Sequence, residues 1–420
     1  MGGIHGGTGT TRPPRSPNTM QEQPTIGFVR GGGQAHLGSL GQHRGVPLLS
    51  SFPWLAPTAA AAAAFLAAQA IARTTHLHGR LTLDGATGVQ KVHTRPTPRV
   101  GGVAIALGAL AAWPFLPADA SALWGMVLLA LLPAFLAGLV EDITKAVQPK
   151  WRLLATLLSG LAFWWITGYG IDRLGWGPLD WIAGVPFLVA ALTMFGFAAT
   201  ANATNLVDGF HGLASATVLF MAAGLAGIAW AVGDTAVLPL SIALMGAVFG
   251  FFLVNYPSGR IFLGDAGAYS LGAACAALGI ALVARHPEVS PWALLVCFGY
   301  PAIETGFSIW RRLKRGLPTS QPDGVHFHKL VWRAMARPVA KQMGRPEIAN
   351  ALTLYFLWPL AAIGPLAAAI FHHRTLAALL GMAVVLAVYV AVYRVISLQH
   401  VHRRLRARLR DGGHHDKPPR

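Results

Sequence analysis

The chain has 420 residues, of which 54% are hydrophobic and only 12% are charged. This composition excludes an ordinary soluble protein, because too few charged side chains remain to cover its surface. A formal net charge of +17 would suit a nucleic-acid-binding protein, but the apolar residues fall in blocks long enough to cross a bilayer, and most positive charges lie between these blocks.

Eleven apolar runs predict membrane helices, since about 17–25 mostly apolar residues span the hydrocarbon core. In chain order the runs cover residues 50–72, 101–117, 122–140, 152–169, 181–201, 212–232, 236–254, 267–284, 291–309, 350–371 and 375–393. We therefore predict an all-α polytopic membrane protein with about 10–11 transmembrane helices.

The loop charges predict the orientation of these helices. If the first helix runs from outside to inside, 26 of the 33 Lys and Arg residues lie in the inner segments 73–100, 141–152, 255–266 and 310–349 and in the tail from residue 394. Only Arg173, Arg285 and Arg374 lie in the outer loops. This is the positive-inside pattern, so the excess charge sets the orientation in the cytoplasmic membrane and meets anionic lipid or substrate rather than nucleic acid.

The two ends of the chain differ from its middle in composition. Residues 1–46 are rich in Gly, Pro, Ser and Thr and predict a disordered N-terminal extension. Residues 47–395 predict one polytopic transmembrane domain, and residues 396–420 predict a basic cytoplasmic tail. Cys275 and Cys297 lie in apolar runs without metal or redox spacing, so we expect both to be small buried side chains.

The acidic residues separate by predicted side of the membrane. Carboxylates near a membrane are costly unless they are solvated or used. The outer loops hold Asp119, Asp172, Asp180, Asp234 and Glu288 without a pattern, whereas the inner side holds Glu141, Asp142, Asp208, Asp265 and Asp323 in successive segments. The inner segments therefore predict one assembled site, with solvated loop acids as the alternative.

The first two inner segments combine cations with carboxylates. In KVHTRPTPRVGG, His93 and Arg99 can donate to phosphate, while Gly101 and Gly102 allow a close backbone approach where the next helix begins. The alternative is a positive-inside anchor. In GLVEDITKAVQPKWR, Glu141 and Asp142 can share a divalent cation or one proton, and Arg152 opens the next helix. Solvated loop acids are again the alternative.

The stretch NATNLVDG is the most specific. On a helix, Asn202, Asn205 and Asp208 at i, i+3 and i+6 form one polar stripe with a carboxylate at its inner end. Gly209 then breaks or kinks the chain. The alternative is that the asparagines hold neighbouring membrane helices together by hydrogen bonds.

Two further segments complete the predicted site. In GRIFLGDAGAYSLG, glycines flank Asp265 and leave room for a metal or phosphate, although a capped turn would show the same pattern. In PDGVHFHKL, His326 and His328 share a face only if the segment is extended. They suit phosphate contact, and zinc binding would need further ligands.

In this order the segments resemble the bacterial polyprenyl-phosphate N-acetylhexosamine-1-phosphate transferase family, glycosyltransferase family 4. The resemblance covers about residues 50–395. The Asn-x-x-Asn-x-x-Asp-Gly motif is matched by Asn202, Asn205, Asp208 and Gly209, and the Phe-x-Gly-Asp-x-Gly motif by Phe262, Gly264, Asp265 and Gly267. Three residues depart from the family pattern: Glu141 replaces an Asp, His211 replaces an Asn and Lys329 replaces a His.

The resemblance implies a cytoplasmic active site that joins undecaprenyl phosphate to the sugar-1-phosphate of a UDP-N-acetylhexosamine and starts cell-envelope polysaccharide synthesis. It implies catalytic roles for Glu141, Asp142, Asp208, His326 and His328, substrate binding by His93, Arg99, Arg152, Asn202 and Asn205, and binding of Mg²⁺, or alternatively Mn²⁺, by Asp265 with Asp142 or Asp208. Phospho-MurNAc-pentapeptide translocase is a more distant relative and the alternative enzyme. A transporter is a third alternative, and a homodimer stays open.

Overall fold

The computed structural model describes residues 54–84, 96–316 and 326–411. Within them, α-helices follow one another with short connections. In chain order the elements are α1 (Leu55–Arg73), α2 (Thr75–Thr82), β1 (Leu83–Asp84), β2 (Thr97–Pro98), α3 (Gly101–Ala112), α4 (Ala118–Thr144), α5 (Pro149–Thr167), α6 (Gly177–Ala183), α7 (Pro186–Val207), α8 (Leu213–Val232), α9 (Val237–Asn255), α10 (Gly264–Arg285), α11 (Pro291–Cys297), α12 (Gly299–Lys314), α13 (Phe327–Val331), α14 (Arg337–Gln342), α15 (Ala349–Phe371) and α16 (Thr375–Asp411). The antiparallel pair β1–β2 places Leu83 opposite Pro98.

Every predicted apolar run coincides with a helix, which confirms an all-α multi-pass membrane protein. Among the described residues, eight helices are long and apolar enough to cross a membrane. The run 291–309 is divided into α11 and α12, which meet at 79° and make up a possible ninth span. The other two runs differ because α3 with its following turn, Gly101–Phe115, is short, and α5 opens with Lys150 and Arg152.

Helix α10 lies at the centre of the protein. In its membrane-spanning stretch, 94% of the residues are buried, and it packs against α3, α4 and α7. More than half of its residues are Ala or Gly, whose small side chains let neighbouring helices approach closely. Because α4 and α7 end beside the point where α10 begins, their polar ends come together with the start of α10.

The last helix is longer than the sequence predicts. Helix α16 runs from Thr375 to Asp411 without a break, so the predicted apolar run and the predicted basic juxtamembrane helix form one element. The predicted boundary at residue 395 therefore falls inside a helix. The predicted N-terminal extension, residues 1–46, and the predicted substrate ligand His93 lie outside the described residues.

At the far end of α10, two acids that looked unpatterned in the sequence belong to one cluster. Asp234 accepts hydrogen bonds from Arg285 Nε at 2.7 Å and pairs with His286 Nε2 at 2.8 Å. His286 Nδ1 lies 3.2 Å from Glu288 Oε1. Since 22 helical residues span about 33 Å, this cluster is well separated from the predicted site at the start of α10.

Candidate active site

The segment PTPRVGG lies directly against the chain that carries Asp265. Phe262 N donates to Pro98 O at 2.8 Å, and Gly101 N and Gly102 N donate to the carbonyls of Phe262 and Leu263, both at 2.9 Å. A side chain at Gly102 would collide with the backbone of residues 266 and 267. The predicted close approach at the start of α3 is therefore present, and α10 is its partner.

Asp142 caps the first turn of α10 from the end of α4. Its Oδ1 accepts Asp265 N at 2.8 Å and its Oδ2 accepts Ala266 N at 2.9 Å. These amides lie in the first turn of α10, where backbone N–H groups have no intrahelical partner and the helix dipole favours a negative charge. Asp142 is fully buried, so this contact fixes the position of Asp265 in the first turn of α10.

Asp265 lies between two guanidinium groups. Arg99 Nη2 donates to its Oδ1 at 2.6 Å, and Arg152 Nη1 donates to its Oδ2. The Asn205 side chain adds a third donor at 3.0 Å. Only 3% of Asp265 is exposed, whereas Arg99 and Arg152 remain 27% and 18% exposed. Side chains from α5, α7 and the PTPRVGG segment thus converge on one carboxylate of α10.

Glu141 holds the turn between α4 and α5. Its Oε2 accepts Val147 N at 2.8 Å, and its Oε1 lies 3.9 Å from Arg152 Nη1. Helix α4 ends at Lys145 with a left-handed backbone, φ 54°. Glu141 therefore places Arg152 beside Asp265, and the adjacent acids Glu141 and Asp142 have different partners.

The polar stripe on α7 is divided by the structure. Asn205 contacts Asp265, but Asn202 donates to Thr156 Oγ1 at 3.3 Å and to Ala198 O at 2.8 Å. The interhelical alternative therefore describes Asn202, whose predicted role in substrate binding has no contact with Asp265 to support it. The reason is that Asn202 lies one turn deeper, opposite α5.

Asp208 follows the last residue of α7 and is half-buried. Burial raises the pKa of Asp208 to about 7, and the nearby negative charge of Asp265 adds to this, while Arg99 opposes it. At Asp208 a proton would therefore compete with the predicted cation near neutral pH.

His211, to which the sequence gives no role, joins two loops of the site. Its backbone N donates to Asn350 Oδ1 at 2.7 Å, and its Nδ1 lies 3.0 Å from Pro257 O. Its ring lies 5.9 Å from that of Phe262. The residue therefore ties the turn after Asp208 to the loop that leads into α10.

His326 and His328 lie side by side. A third residue, Glu304, lies between them and the helix bundle and was not predicted from the sequence. The two rings stack at 5.3 Å with an interplanar angle of 14°, although α13 begins at Phe327 and only His326 is extended. The fully buried carboxylate of Glu304 faces both rings. An acid inside the apolar run 291–309 was the signal that could have identified it.

The arrangement bears on the predicted metal. Among the residues that the structure describes, no group of three or more His, Cys, Asp or Glu side chains is placed to hold a metal ion. Each oxygen of Asp142 accepts a backbone amide, so the structure gives Asp142 a capping role, and its metal binding stays a prediction. Asp208 and Asp265 offer the oxygen donors that Mg²⁺ prefers, and one or two carboxylates with substrate phosphates are enough, provided that the guanidinium groups leave Asp265.

Comparison with known proteins gives a family match over the segment that holds several of the candidate site residues. The sequence profile described as glycosyl transferase family 4 matches residues 124–283, which contain Asp142, Arg152, Asn205, Asp208 and Asp265. Residues 124–283 of this chain are therefore similar to glycosyl transferase family 4. The resemblance stated from the five sequence segments is thereby confirmed.

Several curated relatives are similar to this chain. A phospho-N-acetylmuramoyl-pentapeptide-transferase of Streptococcus pneumoniae (strain CGSP14) is 31% identical over 210 residues, covering 48% of this chain and 62% of the relative. The protein of the same name from strain Hungary19A-6 is 33% identical over 179 residues, 41% and 52% of the two chains. The match to these relatives thus spans between half and two thirds of their length. Arg99, Glu304 and the two histidines lie outside the family 4 match.

Proposed function

We propose that this protein transfers a sugar-1-phosphate from a UDP-N-acetylhexosamine to undecaprenyl phosphate, giving undecaprenyl-diphospho-sugar and UMP. The product would begin a cell-envelope polysaccharide, and the site would face the cytoplasm, as the positive-inside charge pattern predicts. Both substrates are anionic, so the proposal requires a place where two phosphate groups approach each other.

The observation that carries the proposal is the pair of guanidinium groups on Asp265. Arg99 and Arg152 come from separate segments and converge on one carboxylate, and guanidinium is the side chain best suited to bidentate phosphate contact. Both arginines remain partly exposed. Incoming phosphates can therefore take over the donors that now bind Asp265.

In the proposed reaction, an oxygen of the lipid phosphate attacks the sugar-linked phosphorus of the UDP-sugar, and the bond from that phosphorus to the UMP oxygen breaks. Such phosphoryl transfer depends mainly on positioning and on neutralising charge. Arg99 and Arg152 would lower the repulsion between the two substrates, and His326 and His328 would donate to the phosphates as charge develops. The lipid phosphate is largely ionised near neutral pH, so Asp142 can act by holding α10 rather than by accepting a proton.

We propose that Asp265 and Asp208 hold the divalent cation once phosphates have displaced the guanidinium groups. When bound, Mg²⁺ would supply positive charge that stabilises the UMP leaving group. Asn205, which already contacts Asp265, would keep that carboxylate oriented during the exchange.

A second candidate is transfer of phospho-MurNAc-pentapeptide. It is favoured by one observation, the name of the relatives that are 31–33% identical. Two sequence features favour the first candidate: Glu141 in place of the family Asp, and the short HFHK segment. Both resemble the corresponding sequences of the enzymes that start O-antigen and common-antigen synthesis. The two candidates share the acceptor lipid and UMP release and differ in the donor.

A donor panel tests the proposal. Purified protein in liposomes receives undecaprenyl phosphate, Mg²⁺ and one UDP-sugar at a time, including UDP-MurNAc-pentapeptide, and UMP is measured. We expect release with a UDP-N-acetylhexosamine and its loss in Asp265→Asn. The matched control Asp119→Asn, an exposed acid at the other end of α4, should keep full turnover.

Release only with the pentapeptide donor would support the second candidate. If no donor yields UMP while a known member of the family does so under the same conditions, the proposed function is wrong. Uptake of a solute into vesicles without UMP release would instead favour a transporter.

A further inference from the structure

Glu304 is a buried carboxylate that the proposed reaction does not use directly. It lies on α12, and none of its surface is exposed. Its Oε1 accepts Phe327 N at 2.9 Å, and its Oε2 accepts the Tyr389 hydroxyl at 2.9 Å. A buried charge is costly unless it is paired and hydrogen-bonded, so these contacts explain how it is retained but leave open why it is there.

Both histidines present the same edge to this carboxylate. His326 Nδ1 lies 3.5 Å from Glu304 Oε1, and His328 Nδ1 lies 3.9 Å from the same oxygen. Ser308 Oγ approaches His326 Nδ1 at 3.2 Å. A carboxylate beside His326 Nδ1 favours the proton on that nitrogen, which turns Nε2 of this ring away from Glu304. His328 Nδ1, at 3.9 Å, is beyond hydrogen-bond distance from Glu304, so its ring is held mainly by stacking on His326.

The opposite edge of His328 faces the site. Its Nε2 lies next to Gly209, where an added side chain would approach to 3.2 Å. Gly209 directly follows Asp208 in the motif Asn-x-x-Asn-x-x-Asp-Gly. The two rings also stack on each other, so the orientation of one limits that of the other.

The last helix takes part in the same arrangement. Tyr389 of α16 is fully buried, and its ring lies 4.7 Å from that of Phe327. Because its hydroxyl holds the second oxygen of Glu304, the carboxylate cannot rotate without breaking a hydrogen bond. Glu304 thus connects α12, the start of α13 and α16.

We propose that Glu304 is a positioning residue, which holds the rings of His326 and His328 so that their Nε2 side serves the anionic substrates beside Asp208. This inference rests on the proposed function for its consequence in turnover. The orientation of the two rings, however, can be measured without any substrate. Tyr389 acts indirectly: its hydroxyl holds the Glu304 carboxylate, which in turn holds the histidine rings.

The experiment uses the full chain in detergent with the variants Glu304→Gln, Glu304→Asp and Tyr389→Phe. The first readout is the rate at which diethyl pyrocarbonate modifies each histidine, followed by peptide mass spectrometry. We expect at least threefold faster modification of His326 and His328 in Glu304→Gln, because the rings are released. His286, at the far end of α10, serves as the internal control and should be unchanged.

The second readout is kinetic, with the donor found active in the panel. In Glu304→Gln we expect kcat to fall at least tenfold while KM for the UDP-sugar stays within twofold. Glu304→Asp should recover part of kcat, and Tyr389→Phe should lower it by about two- to fivefold. The matched control is Glu347→Gln, an exposed acid for which we expect no change.

The two readouts separate the two claims. Unchanged modification of His326 and His328 in all three variants overturns the positioning role, whatever the activity. Normal kcat in Glu304→Gln also overturns it. If wild-type protein releases no UMP with any donor, the proposed function fails, and the modification rates still decide the positioning role. If Glu304→Gln does not fold, judged by a changed His286 rate, Glu304→Asp and Tyr389→Phe decide the test.

Discussion

Carboxylates that look equivalent in the sequence have different partners at the site. Asp142 binds two backbone amides of α10, Asp265 binds two guanidinium groups, and Glu141 binds the amide of Val147. Burial raises the pKa of Asp208. Residue type therefore identifies the site, whereas the partners of each residue assign its task.

The raised pKa of Asp208, about 7, predicts a pH-dependent stability. In the unfolded chain the carboxyl titrates near about 4, so stability is greatest below that pH and is lost as pH rises toward about 7. We expect Asp208→Asn to raise the thermal unfolding midpoint relative to wild type at pH 8, because the buried charge is gone. Measured without divalent cations, the difference should disappear near pH 4, and a difference independent of pH would contradict the assignment.

The left-handed backbone of Gly264 gives a second prediction for a single residue. Its φ is +75°, and an added side chain would meet Arg99 O and Asp142 Oδ2. We expect Gly264→Ala to lower the free energy of unfolding by about 1–3 kcal/mol and to lower UMP release at least tenfold, because Asp265 shifts. Gly306→Ala is the matched control, since its surroundings are open; equal effects of both substitutions would argue against a steric cause.

At the scale of elements, α10 has a polar anchor at each end. Asp142 caps its start from α4, and Arg285 at its end bonds Asp234, which also accepts the amides of Ala236 and Val237 at the start of α9. Burial by itself would raise the pKa of Asp234, but hydrogen bonds from Arg285, the α9 amides and His286 outweigh it and hold the pKa below its usual range. A buried central helix is thus fixed in register at both ends.

The Asp234 cluster predicts an effect on stability without an effect on activity. We expect Asp234→Asn to lower the free energy of unfolding by about 1–3 kcal/mol at pH 7, because Arg285 loses its charged partner. The folded-state pKa lies below the unfolded value of about 4, so the wild-type advantage is present above about pH 4 and shrinks as pH falls below it.

Thermal unfolding in detergent at pH 7 and pH 3.5 measures this effect. Glu288→Gln, an exposed partner of His286, should change stability by less than about 0.5 kcal/mol. If Asp234→Asn loses UMP release at a temperature where the variant is folded, the Asp234 cluster also contributes to the reaction.

At the scale of the whole molecule, the protein has two chemically different ends. The proposed site and its arginines lie at the start of α10, and the Asp234 cluster lies at its other end, about 33 Å away along the helix. The helices between them expose large apolar side chains, among them Leu132, Phe195 and Leu366, which suits a hydrocarbon environment. Orientation in the membrane then decides which substrates reach the site.

Cysteine labelling tests that orientation. The native Cys275 and Cys297 are buried, so we expect little labelling of the wild-type chain. We expect a membrane-impermeant maleimide to label Glu288→Cys in intact cells and Arg315→Cys only after lysis, because the positive-inside pattern places residue 315 in the cytoplasm. The reverse labelling would place the site on the outer surface and contradict the proposed use of a cytoplasmic UDP-sugar.

The sequence by itself determined the class of protein, the approximate positions of most of the described membrane helices and the segments of the candidate site. It could do so because hydropathy and the spacing of polar residues are local properties. The match at Asn205, Asp208 and Asp265 was also readable, since the motifs lie in short stretches and follow one another at predicted helix ends.

Only the tertiary structure decided which polar groups meet. Asp142 and the amide that it caps are separated by 123 residues, and Asn202 faces α5 instead of Asp265. Glu304 on α12 lies 3.5 Å from Nδ1 of His326, which directly precedes α13. Partners of this kind depend on how helices pack, and packing joins residues that are distant in the chain. A buried carboxylate in an apolar run therefore showed its task only beside the histidines and Tyr389.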